Sequence, residues 1–302
     1  MPEVPSTRAG TVALVGLPNV GKSSLLNRLL GSKLSIVTPF AQTTRERVIG
    51  IDTRDGVQMV FVDTPGIVRP AYLLHRSLIE LIEETIADAD VIVLVVDALR
   101  PPPELEPGVA ERLRALPDRL IIAINKSDLA AETQMSTHTK WAAENLGAPA
   151  LPVSAVSGEG IEALRAAVAE RLPRSPFLYP EDDLSSQPVR FFVAELIRET
   201  VFELYSEEIP YAVAVRIEEF RERSDPVVIR ATIFVERPSQ KGILIGKGGS
   251  ALRELGTRSR MKIEDFLGQR VFLELWVKVL PKWRKSPVEL RRLGFPVPQE
   301  TD

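Results

Sequence analysis

From residue 11 to about 171, short apolar runs of strand length alternate with longer segments in which apolar residues recur at helical spacing. The runs are TVALVG (11–16), VQMVFVD (57–63), VIVLVVD (91–97), RLIIAIN (119–125) and ALPVS (150–154). Near-continuous runs rich in β-branched residues suit strands buried on both faces. They predict an α/β domain with a mostly parallel, six-stranded sheet and helices on both faces. One neighbouring pair departs from the parallel pattern: RVIGID (47–52) and VQMVFVD flank TRDG, whose Asp-Gly step predicts an antiparallel hairpin. The last helix of this part, GIEALRAAVAERL (160–172), stops before Pro173.

The stretch PRSPFLYPEDDLSSQP (173–188) is rich in Pro, Ser and acids and reads as a linker. Beyond it come an amphipathic helix, VRFFVAELIRETVFELY (189–205), and two strand-like runs, YAVAVRIEEF (211–220) and VVIRATIFVER (227–237). A glycine-interrupted helical stretch (241–260) and a last strand, VFLELWVKVL (271–280), complete the order α-β-β-α-α-β of a small α+β domain. The expected division is a first domain over 1–173, a linker over 174–188, and a second domain with a C-terminal tail over 189–302.

Composition leaves that picture standing and narrows the chemistry. The 302 residues are 44% apolar and 26% charged, an ordinary globular balance. With no cysteine and only His75 and His138, disulfides and thiolate metal sites are excluded. The opening MPEVPSTRAG lacks a signal-peptide layout, and VIVLVV is too short to span a bilayer, so a soluble cytoplasmic protein is expected. The net charge of −3 conceals a polarity: residues 237–285 hold twelve Lys/Arg against four Asp/Glu. One end of the chain is thus suited to a polyanion.

GLPNVGKS (16–23) matches GxxxxGK[ST] directly after a buried strand and before the helix SSLLNRLL. Gly16 and Gly21 let backbone wrap phosphates, with Pro18, Asn19, Val20 and Ser24 completing the contact surface. Lys22 supplies a point charge to the β- and γ-phosphates, and Ser23 Oγ is placed to ligate Mg²⁺. DTPG (63–66) ends the third strand, where Asp63 can reach the Mg²⁺ shell and the Gly66 N–H a γ-phosphate oxygen, with Thr64 and Pro65 between them. In the polar loop 32–48, Thr43 and Thr44 both qualify to complete the Mg²⁺ sphere, and Thr44 is preferred.

NKSD (125–128) follows RLIIAIN and matches the [NT]KxD that reads guanine. Asp128 accepts from guanine N1–H and the 2-amino group, and its unpaired carboxylate penalises adenine. Lys126 can lie along the base plane, and Asn125 can bond N7 or brace the phosphate loop. SAVSG (154–158) would put the Ala155 N–H, next to Ser154, on guanine O6. Four motifs in this order, each at a strand's carboxyl end, point to GTP and a P-loop GTPase. Ile67 stands where well-known switches carry the glutamine that orients water. His75, near the second switch, reads as a solvent-exposed helix residue rather than a general base.

ILIGKGG (243–249) lies inside the basic region between two helical segments and looks like the GXXG loop of a KH domain. Together with GLPNVGKS, AQTTR, DTPG, NKSD and VSA, this arrangement resembles the Era family of bacterial GTPases over nearly the whole chain. RFFVAELIRE (190–199) and VKVLPKWRK (277–285) also resemble that family. The resemblance implies a cytoplasmic factor that binds the 3′ end of 16S rRNA and acts in maturation of the 30S ribosomal subunit. Ile245, Gly246, Lys247, Gly248, Gly249, Ser250 and Arg253, with Lys282 and Arg284 of the tail, are the implied RNA contacts. It further implies relatives in which a hydrophobic residue replaces the glutamine, several of them using K⁺ held by an Asn that matches Asn19. Lys22, Thr44, Gly66 and Asn19 are then the expected catalytic groups, with GTP/GDP, Mg²⁺ and K⁺ as cofactors. Two other readings stand beside it: an RNA-binding module in which nucleotide is a structural ligand, and a GTPase held weakly at an anionic membrane surface such as the inner membrane.

Overall fold

The computed structural model describes residues 6–38 and 43–297, so Ala41 and Gln42 of the AQTTR motif and the rest of 39–42 within loop 32–48 lie outside the described residues. The chain divides after Ser186 into two compact units. In the first, the order is β1 (Arg8–Val15), α1 (Lys22–Leu30), β2 (Val48–Arg54), β3 (Val57–Asp63), α2 (Leu73–Asp88), β4 (Val91–Asp97), α3 (Pro107–Arg114), β5 (Leu120–Asn125), α4 (Glu132–Leu146), β6 (Ala150–Pro152) and α5 (Ile161–Arg171).

The sheet runs β2-β3-β1-β4-β5-β6, with only the β2–β3 hairpin antiparallel. Alternation along β1 shows why the apolar runs are continuous. Ala13 and Val15 face a core built with Ile82 and Ile86 of α2, Val109 and Leu113 of α3, and Leu146 of α4. Val12 and Leu14, pointing the other way, are also fully buried. Strand order reverses on either side of β1, which places the loops after β1, β3, β5 and β6 around one crevice at the carboxyl edge.

The stretch read as a linker is laced to the edge of this sheet over most of its length. Buried Gln58 of β3 accepts from Leu178 N (2.7 Å) and Tyr179 N (3.0 Å), and donates to Tyr179 O (2.8 Å) and Thr53 Oγ1 (2.9 Å). Ser185 Oγ donates to Ile49 O (2.5 Å), and Ile51 N to Leu184 O (2.9 Å), so the strap covers the outer strand. Pro/Ser composition marks chain without its own periodicity; it says nothing of partners elsewhere.

The second unit contains α6 (Val189–Leu204), α7 (Ile209–Ala212), β7 (Ala214–Arg221), β8 (Val227–Val235), α8 (Pro238–Ile245), α9 (Ser250–Leu267), β9 (Val271–Val279) and α10 (Pro287–Arg292). β8 pairs antiparallel with β7 and parallel with β9. Residues of one face of β8 (Val227, Ile229, Ala231, Ile233 and Val235) pack with Val193, Ile197 and Val201 of α6 and with Leu244, Leu255 and Ile263 of α8 and α9. The strand expected from Tyr211 begins only at Ala214, because Pro210 sits in the first turn of a short helix, where its missing N–H is not needed. Among the described residues, no helix is long and apolar enough to cross a membrane.

Gln58→Ala should free the strap. Proteolysis at the acidic stretch Glu181–Asp183 should accelerate, and stability should fall by about 2–3 kcal/mol in denaturant titration; unchanged cleavage would mean the strap is held by other contacts.

Candidate functional site

The turn joining β1 to α1 is shaped by residues that only small or left-handed backbone can satisfy. A Cβ on Gly16 would lie 2.3 Å from Val95 O, and one on Gly21 would lie 2.3 Å from Asn125 Nδ2. Asn19 itself takes a left-handed conformation (φ 62°), which Asn tolerates better than most residues. Lys22 is buried beneath this turn and donates from Nζ to Gly16 O (3.1 Å) and Leu17 O (3.0 Å). Burial pushes its ammonium down to about 8, against the opposing pull of Asp63. Pro18, Asn19, Gly21, Lys22, Ser23, Ser24, Thr43, Thr44 and Gly66 line a common cavity, while Val20 is buried behind it.

At one side of that cavity, three hydroxyls converge on a single carboxylate oxygen. Asp63 Oδ2 accepts from Ser23 Oγ (2.7 Å), Ser35 Oγ (3.2 Å) and Thr44 Oγ1 (3.5 Å), and Ser23 and Thr44 are 3.2 Å apart. Thr44, rather than Thr43, therefore joins the cluster. Asp63 Oδ1 is buried with no hydrogen-bond partner among the described residues. Burial pushes the Asp63 carboxyl up, and Lys22 and the three hydroxyls oppose it. One carboxylate with an unsatisfied oxygen, beside two hydroxyls in a phosphate cradle, fits Mg²⁺, which takes few protein ligands and completes its shell with phosphate and water. No group of three or more His, Asp or Glu suited to another metal occurs among the described residues.

The DTPG turn folds back on the phosphate loop. Thr64 N (3.3 Å) and Oγ1 (2.9 Å) donate to Leu14 O, and Ile67 N donates to Gly16 O (3.0 Å). A Cβ on Gly66 would lie 2.8 Å from Pro18 N, so only glycine brings these backbones together. Thr64 and Pro65 are buried in this contact. Ile67 is 2% exposed and belongs to the core with Val15, Ile79 and Ile82, not to the cavity. His75 corrects an expectation: it is buried, with Nδ1 accepting from Ala71 N (3.3 Å) at the start of α2. Its place in the first turn lets it close unpaired backbone, which a surface reading of helical spacing misses.

At the base-reading end, Asn125 braces rather than faces a ligand. Its Nδ2 donates to Val20 O (2.8 Å), and its Oδ1 accepts from Ala155 N (3.0 Å). The Ala155 N–H expected on guanine O6 thus bonds Asn125, because the loop after β6 begins beside the end of the adjacent parallel strand β5. Lys126, left-handed at φ 65°, donates from Nζ to Asp97 Oδ2 (2.6 Å). Asp97 belongs to none of the nucleotide motifs; it ends β4 directly opposite Asn125 on β5, a pairing only the sheet register reveals. The Asp128 carboxylate is exposed and has no partner among the described residues. Ser154 Oγ accepts from Ser157 N (3.0 Å) and closes the next turn, while Arg28 Nε of α1 donates to Ala155 O (2.9 Å).

In the second unit, Gly246 (φ 71°) is the constrained glycine: a Cβ there would lie 2.7 Å from Ala251 Cβ. Gly248 (φ 60°) and Gly249 (φ 78°) are left-handed but face open space. Lys247, Gly248 and Ser250 are exposed at the start of α9, and Ile245 is half-buried behind them. A groove of about 400 Å³ continues from Gly249 between α9 and β9, lined by Leu252, Arg253, Gly256, Thr257, Arg260, Leu273 and Leu275. Thr257 and Arg260 were not anticipated, although 253, 256, 257 and 260 follow helical one-face spacing. Lys282 is exposed. Arg284 is not free for a phosphate: it is ion-paired with Glu236 at the end of β8, a partner 48 positions away.

Comparison with known proteins adds to this geometry. The model of a 50S ribosome-binding GTPase family matches residues 11–126, and a KH-domain model matches 208–284. GTPase Era of Geotalea uraniireducens is 43% identical over 290 residues, covering 95% of this chain and 98% of the relative. GTPase Era of Crocosphaera subtropica is 39% identical, covering 96% and 93%. A point variant of Aquifex aeolicus Era bound to GDP·AlF4⁻ aligns with TM-score 0.89 and 37% identity, covering 96% of this chain and all of that one. An Era in complex with MgGDPNP and nucleotides 1506–1542 of 16S ribosomal RNA aligns with TM-score 0.90 and 36% identity, over the same shares.

A lysine held near 8 in the free protein regains its full charge beside phosphate. Nucleotide binding should therefore take up a fraction of a proton near pH 8, and affinity should decline as pH rises above that value. Calorimetry in two buffers of different protonation enthalpy measures the uptake; none at pH 8 would mean Lys22 is already fully charged when free.

Proposed function

This chain belongs to the Era family of GTPases, and from that premise we propose that it hydrolyses Mg²⁺·GTP in its first domain and binds the 3′ end of 16S rRNA through its second, in maturation of the 30S subunit. The observation that carries the proposal is the convergence of Ser23, Thr44 and the unpartnered Asp63 oxygen beside a glycine-built phosphate turn, in a chain that also holds a GXXG groove. Relatives holding GDP·AlF4⁻, and MgGDPNP with rRNA nucleotides, support both halves. The proposed boundaries are 1–173 for the GTPase domain, 174–188 for the linker and 189–302 for the KH domain with its tail. A cytoplasmic location forms part of the same reading.

In this proposal the backbone N–H groups of 19–24 and the Lys22 ammonium receive the phosphates. Ser23, Thr44 and Asp63 would hold Mg²⁺, which when bound supplies positive charge to the β- and γ-phosphate oxygens. The Gly66 N–H donates to the γ-phosphate and senses its loss. Asp128 selects guanine, with Lys126 steadied under the base by Asp97 and Asn125 clamping the phosphate turn to the strand ends. Because Ile67 is a core residue, no side chain from that position orients water. The attacking water is instead held by backbone near Gly66 and Thr44. Asn19, left-handed on the cavity wall, would hold a K⁺ that offsets developing charge.

GTP turnover measured in K⁺ and in Na⁺, each with and without an RNA carrying the 16S 3′ end, tests this. Faster turnover in K⁺ is expected, by about tenfold or more, and equal rates would remove Asn19's cation role. Gly248→Asp is suited to the RNA half, since a side chain there meets open space and Asp is among the few residues that enter the left-handed region held by Gly248 (φ 60°), at a strain of about 1–2 kcal/mol that a thermal melt of the variant would register. It should weaken RNA binding by at least about tenfold through repulsion of phosphate while leaving GTP affinity unchanged; equal RNA affinity would reject the clamp.

A further inference from the structure

Ser35 belongs to none of the nucleotide motifs, yet its hydroxyl is buried against the carboxylate at the metal side of the site. It is 1% exposed and does not line the phosphate cavity, whereas its neighbours Ser23 and Thr44 do. Asn27 of α1 fixes its backbone. Asn27 Oδ1 accepts from Leu34 N (2.9 Å) and Ser35 N (2.9 Å), and Nδ2 donates to Ser35 O (2.9 Å). One helix side chain thus holds two loop residues by three bonds and delivers Ser35 Oγ to Asp63 Oδ2 at 3.2 Å.

The asymmetry of Asp63 gives this contact its meaning. All three hydroxyls meet Oδ2, and Oδ1 is left buried without a partner among the described residues. A carboxylate turns about its Cβ–Cγ bond, and a donor on one oxygen sets which oxygen is offered elsewhere. Ser23 and Thr44 line the cavity in which a cation would sit. Ser35 does not line that cavity, and its hydroxyl meets only Asp63 among the described residues.

We propose that Ser35, clamped by Asn27, is a positioning residue that sets the rotation of Asp63 and thereby the affinity for Mg²⁺, without touching nucleotide or metal. The inference rests on the reading of this site as one for Mg²⁺ and a guanine nucleotide. Its consequence is specific: Ser35 matters to Mg²⁺-dependent retention of nucleotide and not to retention in the absence of Mg²⁺.

The test is the dissociation rate of a fluorescent GDP from the full chain, followed across a Mg²⁺ titration and in excess EDTA. Ser35→Ala should raise the Mg²⁺ concentration that half-maximally slows release by about tenfold, as expected for losing a hydrogen bond to a charged group. The rate in EDTA should not change. Asn27→Ala should shift the midpoint in the same direction, and the double variant should shift it no further than the larger single effect. An unshifted midpoint in Ser35→Ala, or equal acceleration with and without Mg²⁺, would overturn the proposal. If release from the unsubstituted protein were itself insensitive to Mg²⁺, the underlying reading of the site would fail instead.

Discussion

Strand β1 is paired in parallel with β3 on one side and β4 on the other, and the nucleotide site depends on that double pairing. Leu14 lies opposite Asp63 and Val15 opposite Leu94, so the phosphate turn, the DTPG turn and the end of β4 emerge together. The turn then passes so close to β4 that a Cβ at Gly16 would collide with Val95 O. Parallel strands buried on both faces can hold this register because a one-residue slip would move each apolar stripe to the wrong helix layer. The site inherits its precision from the core beneath it.

That core is also why the charges are where they are. Lys22 and Asp63 are buried, and neither has water to stabilise its ionised form. Lys22 rests on two backbone carbonyls, and Asp63 on three hydroxyls that serve only one of its oxygens. Such a site is electrostatically incomplete: phosphate would raise the lysine's charge, and a hard cation would satisfy the carboxylate. Ile67 follows from the same geometry. The turn that brings the Gly66 backbone onto Pro18 directs the next side chain into the core, where isoleucine is suited and a glutamine would need partners.

The second unit presents its basic groups by related means. Gly246 packs against Ala251 without room for a side chain, and the exposed Lys247–Ser250 turn opens onto the start of α9. Arg253, Thr257 and Arg260 extend that turn along one helix face, with Leu273, Glu274 and Leu275 of β9 forming the opposite wall of the groove and Glu274 ion-paired with Arg230. Charge counting marked this region as basic but did not say which charges are free. Arg284 is bound to Glu236, and Lys262 to Glu199 and Glu203, so part of the excess is internal.

The sequence by itself determined the elements and the positions with strict local demands. Apolar runs matched β3 and β4 to the residue, and the Asp-Gly step named the hairpin. Gly16, Gly21 and Gly246 stood out because a backbone constraint is written at the position that bears it. The tertiary structure alone decided who faces whom: Asp97 with Lys126, Ser35 with Asp63, Asn125 with Ala155, Gln58 with the strap, His75 inside rather than outside. These are single polar contacts, several joining residues far apart in the chain, and none repeats with a helical or strand period. Periodicity reports which face of an element is buried, whereas a hydrogen bond between distant residues exists only after the sheet register and helix packing have brought its two ends together.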